Sequence, residues 1–289
     1  MKRMFCAPVR SFCFISGFLA LALAGCQKNQ ESAEEKDGAD ATASAQAAAH
    51  NGSYEIVIND NNGEDYNPVI DPASFVSAID NPYFNLAPGR VWVYEGKDED
   101  GKTERVEVEV TNETKSILGV NTTVVHAREW VEGELVEDTF DWFAQDKDGN
   151  VWYFGEDSKE IEDGEVVNTN GSWEAGVNGA KPGIVMKANP QVNEAYRQEF
   201  LPGEAVDMGQ VLSLNESVTI GLGTYADCLQ TKDWTPLEPE VVEHKFYSKD
   251  VGNAILEKKV AGETGQLELV EMRMLETQTP ENEEQSLEN

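Results

Sequence analysis

The chain has 289 residues, of which 54 are acidic and 22 basic, for a formal net charge of −32. A surface this acidic repels nucleic acid and anionic headgroups, so no nucleic-acid partner is expected. It suits a protein kept soluble in a salty medium, where counterions screen the self-repulsion, and it leaves open a store of hard cations, since carboxylate oxygens are calcium ligands.

The amino terminus has the order of an export signal. Lys2, Arg3 and Arg10 precede an apolar run from Ser11 to Ala24. At about 14 residues the run is shorter than the roughly 20 a membrane-spanning helix needs, and it has the length and flanks of a leader's apolar region. It closes on Leu23-Ala24-Gly25-Cys26. This succession of basic, apolar, small, small and Cys resembles the lipobox of bacterial lipoproteins. The resemblance implies a signal peptide over residues 1–25, a diacylglycerol thioether on Cys26 and acylation of the new amino terminus. The membrane would then be a partner through acyl chains, two or three of which hold a protein where one does not. Gln27 follows the cysteine, and in Gram-negative lipoproteins this resembles the pattern sorted to the outer membrane. With Cys6 and Cys13 lost with the leader and Cys26 lipidated, Cys228 alone remains and no intramolecular disulfide is possible.

Residues 27–52 hold no apolar side chain larger than alanine. Such a segment cannot bury enough surface to offset its ordering entropy, so residues 26–52 are expected to be a disordered tether. The polar stretch 277–289 is expected to be a disordered tail. Between them, residues 53–276 should form a single β-rich domain. Runs such as "GRVWVYEGKD", "TERVEVEVTN", "EVVEHKFYS" and "QLELVEMRM" alternate with period two, and short Gly or Asn turns separate many of them. This pattern predicts an all-β fold, an antiparallel meander forming a barrel or strongly curved sheet. One short helix is expected near residues 72–79, with Asp71 as N-cap and Pro72 at the first helical position.

Within the body, "DWFAQDKDGNVWYFGED" (141–157) joins two readings. Asp146, Asp148 and Asn150 alternate as calcium ligands do, but Val151 falls where a helical calcium loop needs glycine, and Asp157 replaces its final glutamate. Asp-X-Asp-Gly recurs at Asp98–Gly101, and Asp163-Gly164 repeats its last two letters. Asp opening a type I turn and Gly closing it in the left-handed region is hairpin chemistry. The turn is therefore the expectation here, and a solvated loop is expected for Asp60, Asn62, Gly63 and Asp65. No metal site is assigned.

The flanking strands carry large apolar groups on both faces, with Trp142 and Ala144 opposing Phe143, and Val151 and Tyr153 opposing Trp152 and Phe154. A sheet with one wet face should alternate instead. Either this hairpin is central, covered on its second face by residues 171–190 or by the short helix, or one face lines an apolar cavity. In the second case Trp142, Trp152, Tyr153 and Phe154 would bind a small apolar or sugar ligand.

No Gly-X-Ser-X-Gly, His-Glu-X-X-His or phosphate loop occurs. His50 lies in the tether, His126 and His244 lie singly in strands, and Cys228 has no marked base beside it. No catalytic residue and no cofactor are assigned. Glu160-Ile161-Glu162-Asp163-Gly164-Glu165 is similar in spacing to the Glu-X-Asp-X-X-Glu of laminarinase-like glucanases, which would make Glu160 and Glu165 a hydrolytic pair. Glu162 and Gly164 depart from that pattern. "NPYFNLAPGRVWVYEG" and "HKFYSKDVGNAILEKK" resemble the opening and closing strands of uncharacterised secreted β-rich bacterial lipoproteins. That resemblance spans Asn81 to Lys259 and implies a fold and a compartment, with no activity attached. The expected function is a lipid-anchored, extracytoplasmic, non-catalytic ligand-binding or envelope-interaction module. A carbohydrate hydrolase and a structural envelope lipoprotein are the alternatives.

Overall fold

A computed structural model describes residues 66–98 and 100–275. The leader, Cys26, the tether, the 59–65 loop and the 277–289 tail lie outside the described residues. After a 3-10 turn at Pro72–Ser74 come three two-residue strands, β1 (Phe75–Val76), β2 (Asp80–Asn81) and β3 (Phe84–Asn85). A five-strand meander follows: β4 (Arg90–Lys97), β5 (Thr103–Ile117), β6 (Val120–Val131), β7 (Glu134–Asp146) and β8 (Val151–Glu162). Short pieces continue as β9 (Glu165–Asn168), β10 (Trp173–Glu174), β11 (Lys181–Met186), β12 (Ala195–Arg197) and β13 (Glu199–Phe200). A second meander completes the chain: β14 (Met208–Ile220), β15 (Gly223–Trp234), β16 (Val242–Ser248), β17 (Asn253–Ala261) and β18 (Gly265–Met274).

The pairing is antiparallel throughout. β18 pairs with β4 and so joins the two meanders into one sheet, ordered β12-β14-β15-β16-β17-β18-β4-β5-β6-β7-β8-β11-β13. Its two ends are consecutive in the chain, with only Gln198 between β12 and β13. One stretch thus gives its first half to β14 and its second to β11, and the sheet nearly closes into a barrel. Near-closure follows from twist accumulated over so many strands, and it removes most of the exposed edge.

The hairpins are made as the turn residues dictate. At both Asp98 and Asp146 a three-residue loop returns the chain. Gly101 N–H donates to Asp98 O and Gly149 N–H to Asp146 O, both at 3.0 Å. Gly149 sits at φ 94°, a left-handed position that favours glycine. Asp163 and Gly164, at φ 52° and 80°, form the tighter two-residue turn between β8 and β9. The expected helix near 72–79 is a single 3-10 turn. Asp71 caps it as predicted, accepting from Ala73 N–H at 3.0 Å. The chain then straightens, because so short a helix is marginal by itself while Phe75 and Val76 gain a ladder with Asp146 and Gln145 of β7.

On β5 the alternation is as the sequence predicts. Val106, Val108 and Val110 are buried, while Glu107 on the other face gathers Arg128 at 2.8 Å and Arg273 at 2.9 Å. The apolar interior includes Trp92, Tyr94, Phe143, Tyr153, Leu229 and Leu267 in one continuous cluster. Toward one end of the barrel the same inward registers change character. Val106 gives way to Glu104 on β5, Phe143 to Asp141, Thr139 and Glu137 on β7, Leu229 to Thr231 and Asp233 on β15, and Tyr247 to Lys245 on β16, all of them buried. Half the barrel is packed like a core and the other half is lined with charge.

Candidate functional site: a buried carboxylate cluster

The charged half has two poles. The first pairs its carboxylates with two lysines. Lys245 Nζ lies 3.3 Å from Asp233 Oδ2, 3.8 Å from Glu257 Oε2 and 3.9 Å from Glu243 Oε2. Lys259 pairs with Glu263 and stands 3.9 Å from Glu243. Cross-strand register places these groups together, with Lys245 opposite both Thr231 and Glu257, and Glu243 opposite both Asp233 and Lys259. Burial works against the Lys245 charge, but Asp233, Glu257 and Glu243 outweigh it and hold the ammonium well above its usual range.

The second pole has no such lysines. Asp141 of β7 lies directly opposite Glu156 of β8, and Glu156 lies opposite Trp173 of β10. Tyr153 donates its hydroxyl to Asp141 Oδ1 at 2.7 Å, and Trp173 Nε1–H donates to Glu199 Oε2 of β13 at 2.9 Å. Thr139 Oγ1 is 2.8 Å from Glu137 Oε1 and 2.9 Å from Ser158 Oγ. The remaining oxygens, Asp141 Oδ2, Glu156 Oε1 and Glu199 Oε1, are buried with no hydrogen-bond partner among the described residues. No described lysine or arginine forms an ion pair with Glu137, Asp141, Glu156 or Glu199. Burial pushes Asp141 up to about 7 and Glu137 to about 8. Burial also carries Glu156 and Glu199 well above the carboxylate range, and the neighbouring acids add to it: Asp141, Glu199 and Glu137 around Glu156, and Asp207 and Asp141 around Glu199. Below neutral pH these carboxyls therefore hold protons that ordinary carboxyls have lost, and Asp141 is about half-ionised near pH 7.

No three described Asp, Glu, His or Cys side chains form a group that could hold a metal ion. Asp146 is engaged otherwise: Oδ1 accepts from Asp148 and Asn150 backbone N–H at 3.0 and 2.9 Å, and Oδ2 accepts from Asn150 Nδ2 and Trp152 Nε1 at 2.9 and 2.8 Å. Its ligand-like spacing serves the turn.

The four aromatics singled out in the sequence sit within the wall and core. Tyr153 stacks on Phe143 with centroids 4.8 Å apart and meets Trp173 edge-on at 5.2 Å. Phe154 and half-buried Trp152 are covered by Phe75 at 5.5 and 6.3 Å. Trp142 lies under the Lys115 ammonium at 3.2 Å from its ring centre. Of the two coverings considered, the 72–76 segment lies over the face of Trp152 and Phe154, while Trp173 packs against Tyr153 on the interior face. Tyr153, through its hydroxyl, joins the aromatic set to the carboxylates. An open recess of about 700 Å³ lies elsewhere, at Glu95–Asp98, Gly101, Gly265, Gln266 and Glu268.

Glu160 pairs across the β8–β9 ladder with Asn168, whose Nδ2 donates to Glu160 Oε2 at 3.2 Å, and a bulge in the ladder sets Glu165 opposite Glu162, two residues along from Glu160. His126 stacks on Phe140 at 4.2 Å, and His244 Nδ1 is 3.0 Å from Gln230 Nε2. Cys228 is buried, and burial, with Asp250, Asp227 and Glu216 adding to it, raises its thiol away from the reactive thiolate.

Sequence reasoning missed the cluster because it assigned charged strand residues to solvent. The signal was there in "LVEDTFDW", where Glu137, Thr139 and Asp141 share one face while Phe140 falls on the other.

No protein family and no curated protein matches the chain. Among solved structures, it is similar to a protein with a YmcC-like fold from Bacteroides fragilis, at 12% identity over 66% of this chain and 98% of that one, with a TM-score of 0.39. It is also similar to a β-barrel-like protein of a domain of unknown function from Brucella abortus, at 14% identity over 65% and 98%, with a TM-score of 0.40. At these TM-scores the likenesses carry no argument, and the description of the fold rests on the strand pairing above.

Proposed function

We propose that the chain is a lipid-anchored, extracytoplasmic binding module without catalysis, and that its barrel takes a small ligand whose binding end is a protonated amine. Cys26 would tie it to a bacterial membrane, the outer one in a Gram-negative cell. The observation that carries the binding reading is the set of unpartnered oxygens of Asp141, Glu156 and Glu199. A buried acceptor left without a partner costs about 1–3 kcal/mol, and a domain with only a structural role would be more stable with apolar groups there. Strongly perturbed carboxyls gathered in one interior mark functional sites more often than scaffolding. An ammonium supplies both the missing charge and up to three donors, and the rings of Tyr153 and Trp173 offer it an apolar flank.

The test is calorimetric titration of the full chain with putrescine at pH 8, against potassium chloride at matched ionic strength. The expected result is saturable binding that weakens by about tenfold or more in the Glu156→Gln, Glu199→Gln double variant. Equal responses from the two proteins would mean that putrescine only screens the acidic surface, and would end the reading.

A further inference from the structure

Along the main sheet order the ladder is shortest where β13 closes the barrel against β11. β13 meets β11 in two register pairs, Lys181 with Phe200 and Pro182 with Glu199, and proline has no N–H to give to a ladder. A Cβ on Gly183 would fall 2.3 Å from the carbonyl carbon and oxygen of Gln198. The two backbones therefore touch at the join with no side chain between them.

What faces this join differs on its two sides. Inside, Glu199 looks toward Glu156 of β8, Asp141 of β7 and Asp207 on the approach to β14, with Trp173 of β10 as its hydrogen-bond donor. Outside, Tyr66 lies across the seam and donates its hydroxyl to Pro182 O at 2.8 Å. Its ring is 5.6 Å from that of Phe200. The Arg197 guanidinium stands over Tyr66 and Phe200 at 5.5 and 5.1 Å, and the Lys181 ammonium stands over Phe200 at 5.2 Å. The seam is thus clasped by aromatic and cationic groups from outside and loaded with like carboxyls from inside.

We infer that residues 195–200 are a gate in the barrel wall, latched by Tyr66, through which the buried carboxylates are reached. The inference rests on the proposed function for what passes through, and not for whether the wall opens. Protonated carboxyls do not repel one another and let the seam stay shut. Once ionised, Glu199 is pushed away from Glu156, Asp141 and Asp207, and moving β13 outward admits water to all four. Asp141 and Asp207, which burial raises to about 7 and about 8, place the transition between neutral and mildly alkaline pH. An amine among the ionised carboxylates offsets the repulsion and lets the seam close again.

Hydrogen exchange of the full chain at pH 5.5 and 8.5, corrected for intrinsic exchange, reads the gate directly. Amides of residues 181–186 and 195–201 should open about tenfold or more readily at the higher pH, while β4 and β5 stay unchanged. The Glu156→Gln, Glu199→Gln protein should lose this dependence. A rise shared equally by all strands, or none at the seam, overturns the gate. Should that protein fail to fold, Lys181→Cys with Phe200→Cys joins the seam by a disulfide between register partners, whose spacing suits one. The oxidised form should exclude putrescine and the reduced form admit it. Binding by the oxidised form refutes the gate and leaves the binding reading standing. A seam that responds to pH in a chain that never binds putrescine refutes the binding reading and leaves the gate.

Discussion

Lys245 shows what one buried side chain does in this interior. It stands within 4 Å of Asp233, Glu243 and Glu257, and is itself almost fully buried. Removing one member of such a set leaves its partners charged in a medium that solvates them poorly, and this usually outweighs whatever the intact set contributes. Lys245→Met keeps the stem's volume and deletes the ammonium. It should lower stability by about 3–5 kcal/mol at pH 8, measured by urea denaturation. The loss should shrink at pH 5, where the stranded carboxyls can protonate. An equal loss at both values would mean that the stem's packing, and not its charge, is what matters. The contrast with Asp141, Glu156 and Glu199 is direct, since those three have no lysine to lose and already depend on protonation.

At the scale of the element, the β7–β8 hairpin is fixed by its turn and by what covers it. Asp146 accepts four hydrogen bonds, two from backbone and two from the side chains of Asn150 and Trp152. Asp146→Ala should therefore destabilise the protein by about 1–3 kcal/mol, with or without a chelator present. A loss that appeared only after calcium removal would restore the metal reading of this loop. The turns were legible because Asp and Gly act through their own backbone geometry, which needs no tertiary context. The valines of β5 were legible because an alternation of Val with Arg and Glu leaves one way to face a core. The interior of β7 was not. Glu137, Thr139 and Asp141 alternate with Asp138 and Phe140, so neither face is plainly apolar, and the inward one was settled by Trp173 and Glu199, which arrive from distant parts of the chain. The hairpin's two apolar faces were visible in the sequence, but the strap that covers one of them was read as a helix. Its short apolar run has no period long enough to separate helix from strand.

For the whole molecule, the many raised carboxyls fix the sign of its pH dependence. Burial lifts Glu104 to about 7, Glu137 to about 8, Asp141 to about 7 and Asp207 to about 8. Unfolded, the same groups titrate near their ordinary values of roughly 4. Between about pH 4 and 8 the native state therefore holds more protons than the unfolded one, and stability falls as pH rises through that window. Below it the contribution is fully present, and above it the loss is complete and the slope from these groups vanishes. The Lys245 ammonium, also held above its ordinary value, acts in the same sense at higher pH, its contribution being lost as pH rises through that raised value. A thermal midpoint several degrees higher at pH 5 than at pH 8.5 is expected, since a domain this size moves about 2–4 °C per kcal/mol. Surface self-repulsion of a chain at −32 has the same direction, but salt screens it. The difference between the two pH values should thus survive in 0.5 M potassium chloride if it comes from the interior, and collapse if it comes from the surface. In the Glu156→Gln, Glu199→Gln protein the remaining raised carboxyls still favour low pH, so the difference should narrow there without changing sign.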